Sequence, residues 1–241
     1  MARDVKITDV TPPEEIPSGL PAAAATLAVA VGLPWALVRR GGASPWTVVA
    51  GAATWGASVA FKRAVSKPVQ RRFEERPLVR AAALGAISAV AELGAAQTWV
   101  ALNDPPERDV LAFGAGASSM EALSLLGYGV ASGGPSDDHL GSWAEGARHS
   151  RLVRHSLFAE RFSATVLHVA SRSLVAIGIR RRRPAAVVLP ALLFAAVDGV
   201  ASYGHAAGWI WVDPATARRF YAFLAAVNTV EVAQLARAAR R

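Results

Sequence analysis

Apolar residues run through this chain in seven long blocks, without the strict alternation of half-buried strands or the one-sided stripes of soluble helices. The blocks cover 19–38, 43–61, 81–102, 110–132, 162–179, 185–203 and 220–236. A helix that crosses a bilayer needs roughly 17 to 25 predominantly apolar residues, and every block falls in that range. A soluble alanine-rich bundle would carry a polar stripe along each helix, yet the first two blocks contain no ionisable residue. The pattern predicts an all-α, polytopic membrane helix bundle of about seven transmembrane helices. It forms a single domain over 19–236, between a polar tail at 1–18 and a basic tail at 237–241. The first tail holds Pro12, Pro13 and four acids, and it lacks the basic character of a signal-peptide n-region. The segment 132–150, "SGGPSDDHLGSWAEGARHS", is the one long connector. Its Gly, Pro and Asp mark a loop, with room for a short amphipathic helix before the fifth block.

Composition refines this picture. The 241 residues are 53% hydrophobic, but alanine and glycine fill so much of the blocks that the mean hydropathy is only +0.30. A net charge of +8 would suggest nucleic-acid binding in a soluble protein of this size. Here the basic residues gather in short clusters bordering the apolar runs, as they do in membrane loops, so the expected partner is the lipid bilayer and not nucleic acid. One side of a seven-span arrangement carries 15 Lys and Arg and the other 10, a bias that places the N-terminus in the cytoplasm and the protein in the cytoplasmic membrane. With no cysteine there is no disulfide framework, thiolate metal site or cysteine nucleophile, so any chemistry must use carboxylates, histidines or hydroxyls.

Six ionisable residues lie inside the blocks: Glu92, Glu121, His168, Arg172, Asp198 and Glu231. Each charge near a bilayer centre costs on the order of 2.5 to 3.5 kcal/mol, so these groups must face the bundle interior. Glu92, Glu121 and His168 fall at similar depth if consecutive helices run antiparallel, which predicts a shared polar site near the midplane. Glu231, close to Arg237 and Arg240, reads as interfacial. Arg172, one turn beyond His168, reads as the neutralising partner of a carboxylate. Glu121 and Asp198 have Ser118, Ser119 and Asn228 within reach for a helix-locking hydrogen-bond network. Gly114 and Gly116 read as close-packing surfaces, because a "GAG" with no preceding strand is no phosphate cradle.

Three pieces in order, "AVAELGAAQTWVALND", "LAFGAGASSMEAL" and "ERFSATVLHVASRSLV", with "LPALLFAAVDGVASYG" in the place of a fourth, resemble the YhfC family of intramembrane proteases, relatives of the PrsW and CAAX-protease groups. The resemblance spans about 20–236 and rests on order and spacing. It implies a polar motif on each of four helices. The first, paired glutamates followed by an arginine, is represented by Ala91, Glu92 and Ala95. The second keeps Gly114, Gly116 and Glu121-Ala122, with Ala117 where a histidine is expected. The third is complete as Glu160, Arg161 and His168. The fourth keeps Asp198, with Phe194 in place of histidine. A preserved scaffold with a depleted active site is the expectation.

Peptide-bond hydrolysis inside a membrane needs water activated by a general base and a group that stabilises the oxyanion. The resemblance assigns the catalytic roles to Glu92, His168, Asp198 and Glu121, with Glu92 as base and His168 as oxyanion partner. It also makes Phe194→His with Ala117→His the pair expected to gain activity. The cofactor is open: the same four side chains offer ligands for a metal, but a single histidine is poor for zinc, which disfavours a metal site. Two other classes stand beside the protease. One is a non-catalytic protein that binds transmembrane segments or lipid through the same cavity. The other is a small transporter using the buried acids as a relay, for which no internal repeat is visible.

Overall fold

The computed structural model describes residues 20–131 and 150–240. The expected tail at 1–18 and nearly all of the connector at 132–150 lie outside these residues. The described chain forms eight helices and no strand: α1 (Leu20–Arg39), α2 (Pro45–Arg72), α3 (Pro77–Asn103), α4 (Glu107–Ala131), the single turn α5 (Arg151–Arg154), α6 (Ser156–Arg180), α7 (Ala185–Ala206) and α8 (Pro214–Ala239). The basic tail expected at 237–241 is helical as far as Ala239.

The punctuation follows local chemistry. Pro45, Pro77 and Pro214 open their helices at a position whose N–H needs no partner. Asp213 caps α8 by accepting the Thr216 N–H at 2.7 Å. At the other end of α3, Asp104 turns the chain in a left-handed conformation with φ 39°. The long helices alternate in direction. At one end the Ser44 N–H donates to Asp109 at 3.0 Å, and Arg180 and Arg181 reach Asp104 and Glu107 across the bundle. At the opposite end the Tyr221 hydroxyl donates to the Ser156 carbonyl at 2.9 Å.

Helix α6 is the axis, packing against α1, α3, α4, α7 and α8. Glycine permits the closest approaches. A Cβ on Gly116 would lie 2.0 Å from the Val48 carbonyl oxygen, and one on Gly51 2.0 Å from that of Phe113, so α2 and α4 touch backbone to backbone. Gly85 meets Ala195 and Gly199 in the same way between α3 and α7, and Gly114 meets Val169 between α4 and α6. The glycines of the second motif are packing surfaces, as their sequence context indicated. The apolar core is Leu93, Leu167, Val175, Phe194, Val197, Leu224 and Val227.

Among the described residues, three helices are long and apolar enough to cross a membrane: Pro77–Asn103, Phe158–Arg180 and Ala185–Ala206. In the second of these 67% of the apolar window is buried, and in the third only 22%, so the first faces protein and the other presents Val188 and Leu192 outward. Of the remaining long helices, α1 offers a shorter apolar stretch over Thr26–Arg39, and α2 and α8 depart from the seven-span expectation by composition. The apolar half of α2 continues into a basic stretch, and α8 interrupts its apolar face with Asn228, Glu231 and Gln234.

Candidate functional site

Four helices deliver polar groups to one place. Glu92 on α3, Glu121 on α4, His168 on α6 and Asp198 on α7 all line a single cavity of about 170 Å³, together with Lys62 and Arg161. The antiparallel depth argument for Glu92, Glu121 and His168 therefore holds. Their surroundings form a continuous chain of ion pairs and hydrogen bonds. Asp198 accepts the Ser88 hydroxyl, and Ser88 in turn accepts the Lys62 ammonium at 3.0 Å. Lys62 Nζ lies 2.5 Å from Glu92 Oε1. Arg172 Nη2 donates to Glu92 Oε2 at 2.9 Å, and its Nη1 donates to His168 Nδ1 at 2.5 Å. His168 Nε2 bonds Glu121 Oε2, whose Oε1 accepts Arg161 Nη1 at 3.0 Å. Arg161 Nη2 closes the series on Glu160 at 2.6 Å.

This chain dictates protonation chemistry. A guanidinium has only donors, so Nδ1 of His168 must accept, and the ring proton sits on Nε2 and points to Glu121. Both imidazole nitrogens are thus engaged. Both oxygens of Glu92, which is 3% exposed, are engaged by cations. Glu121 and Asp198, with side chains 22% and 34% exposed, are the acids most open to the cavity. Three cations face four carboxylates, so the core is close to electrically balanced, which is what allows charges to persist away from water. Phe194 completes the site by packing edge-on to the His168 ring, with the Arg172 guanidinium 5.8 Å from its centroid.

Several sequence expectations change. Glu231 is not interfacial: it is fully buried on α8, and neither carboxylate oxygen has a hydrogen-bond partner among the described residues. The network proposed for Glu121 and Asp198 with Ser118, Ser119 and Asn228 does not form. Ser118 instead pairs with Thr165 at 2.6 Å, Ser119 bonds the Ala30 and Ala115 carbonyls, and Asn228 donates to the Ser163 carbonyl. Arg172 does neutralise a carboxylate, that of Glu92. The space beside Ala117 opposes a histidine, because this residue is buried where α2 comes closest to α4. An imidazole there would overpack the helix contact, and one at Phe194 would exchange a cation–π contact for a second basic ring beside Arg172.

Lys62 was missed as a site residue. It opens a basic cluster and reads as a loop anchor, but α2 continues through it and carries its ammonium inward. Arg161 had a legible signal: seven residues before His168, it lies on the same helical face. Among the described residues no group of three His, Cys, Asp or Glu side chains converges as a metal-binding set. The donor atoms explain this, since lysine and arginine hold the oxygens that a metal would need. The chain matches no protein-family model, no curated protein and no solved structure.

Proposed function

We propose that the chain is a seven-span protein of the cytoplasmic membrane, built on a scaffold similar to the YhfC-type intramembrane proteases, whose polar core serves binding and not hydrolysis. The carrying observation is the saturation of Glu92 and His168. A general base needs a free lone pair within hydrogen-bond reach of water, and Glu92 spends both oxygens on Lys62 and Arg172. An oxyanion partner needs a free N–H, and the only one on His168 is committed to Glu121. What the cavity offers a visitor is the partly exposed carboxylates of Glu121 and Asp198, against a wall that includes Phe194, Phe220 and Leu224. That combination suits a transmembrane segment or lipid carrying a polar group at mid-depth.

A second reading keeps hydrolysis. A cavity of about 170 Å³ has room for several waters at roughly 30 Å³ each, and all four candidate catalytic residues border it. In that reading an arriving substrate draws Lys62 or Arg172 off Glu92, freeing the base. Reconstitution with a panel of single-span substrates separates the two. Binding without cleavage, unchanged by Glu92→Gln, supports the first reading. Cleavage that falls roughly 100-fold or more in Glu92→Gln and His168→Ala proteins still folded at the assay temperature by their thermal melts overturns it in favour of the second.

A further inference from the structure

Adjoining the polar core, and sharing Lys62, Ser88 and Asp198 with it, lies a larger groove, about 750 Å³, between the C-terminal half of α2 and the ends of α3 and α7. It is lined by Lys62, Arg63, Ser66 and Lys67 of α2 and by Ser202 and His205 of α7, with Val59, Leu84 and Ala201 supplying apolar wall. The charges in it do not balance. Lys62 is matched by Glu92 and Asp198, but Arg63 and Lys67 have no ion-pair or hydrogen-bond partner among the described residues. Asp198 is the one acid in the lining, already bonded to Ser88 and 3.9 Å from Lys62.

Depth comes from a separate observation. The α7–α8 turn, beside His205, carries an aromatic cluster in which Tyr203, Trp209, Trp211, Phe220 and Tyr221 stack edge to face. Ile210, at the tip of that turn, is 66% exposed. Such a belt sits at the level of lipid headgroups. Helix α2, 28 residues and roughly 42 Å long, exceeds the hydrocarbon thickness, so its basic second half reaches the same level.

We propose that this groove binds the phosphate of an anionic phospholipid, with Arg63 and Lys67 as the phosphate contacts, the Ser66 and Ser202 hydroxyls beside them, and the acyl chain running down past Val59 and Leu84. The apolar wall, and the position on the more basic side of the bundle, select a lipid over free phosphate. The inference rests on membrane insertion but not on what the polar core does.

The test uses full-length protein in detergent, with native mass spectrometry and thermal-shift readouts. The probes are phosphatidylglycerol, phosphatidylcholine and inorganic phosphate. Phosphatidylglycerol is expected to bind and protect, phosphatidylcholine and phosphate much less. Arg63→Gln with Lys67→Gln is expected to weaken phosphatidylglycerol binding about tenfold, while Arg71→Gln with Arg72→Gln, on the same helix outside the lining, leaves it unchanged. All four residues are exposed, so neither double variant disturbs the core. Equal binding of the two lipids, an unaffected Arg63/Lys67 variant, or phosphate competing as well as the lipid would each overturn the proposal. A chain extracted from membranes by salt alone would overturn membrane insertion itself, a separate failure.

Discussion

Glu92 and Glu231 are the same residue type at nearly the same burial, and their surroundings give them opposite energetics. Glu92 holds two cations, so removing its charge strands Lys62 and Arg172 in the core, and breaking a buried pair from one side costs about 3–5 kcal/mol. Glu231 forms no ion pair or hydrogen bond among the described residues and feels the Arg172 charge only at longer range, so its two oxygens forfeit their hydration with no bond in return. Glu92→Leu is therefore expected to lower the thermal unfolding midpoint of the detergent-solubilised protein strongly. Glu231→Met, close in volume and free of the polar penalty, is expected to raise stability by about 1 kcal/mol. The two melts, run side by side, check the assignment. A loss at Glu231 as large as that at Glu92 would mean that its carboxylate has a partner. The same reasoning applies to Phe194→His: with its ring against Arg172 and His168, this change should cost stability before it adds an acid–base group.

Between helices, the decisive contacts are made by residues with no side chain to give. Gly116→Ala places a methyl against the Val48 backbone carbonyl, which cannot move without separating α2 from α4, so a loss of about 3 kcal/mol or more is expected. Gly56→Ala, on α2 with open space around it, should be neutral or stabilising by up to about 1 kcal/mol through helix propensity alone. Comparing the two denaturation curves distinguishes close packing from propensity. This level of the structure was largely legible in the sequence. Block lengths located the long helices, the glycines of "LAFGAGASSMEAL" marked a packing face, and the antiparallel order brought Glu92, Glu121 and His168 to one depth. What stayed hidden depends on how far a helix continues and which way it is rotated. The basic cluster at 62–80 reads as a loop beyond the second span, while α2 runs on to Arg72 and turns Lys62 onto Glu92. Glu231 reads as interfacial from its distance to the terminal arginines, while the rotation of α8 buries it. Neither quantity is encoded in hydrophobicity along the chain.

At the scale of the whole molecule, the outward display of apolar side chains and the uneven distribution of basic ones must agree on a single placement in the bilayer. Val188 and Leu192 on α7, Val90 and Leu102 on α3, and Val230 and Val232 on α8 are all exposed, an outward display that suits contact with acyl chains. The turns then divide between two faces: the α2–α3 turn lies on the face with more lysine and arginine, and the α6–α7 turn on the other. Three long helices, α3, α4 and α6, separate these turns, and in the proposed seven-span arrangement that odd number of crossings would put them in different compartments. The chain has no cysteine, so single-cysteine variants report on a silent background. Glu75 and Arg183 are exposed positions in the two turns. In intact cells a membrane-impermeant maleimide is expected to label Arg183→Cys, and to label Glu75→Cys only after permeabilisation, because basic loops are retained in the cytoplasm. The reverse pattern would keep the seven spans and invert the orientation. Labelling of both variants from the same face would leave an even number of crossings between them, and the seven-span arrangement would fall.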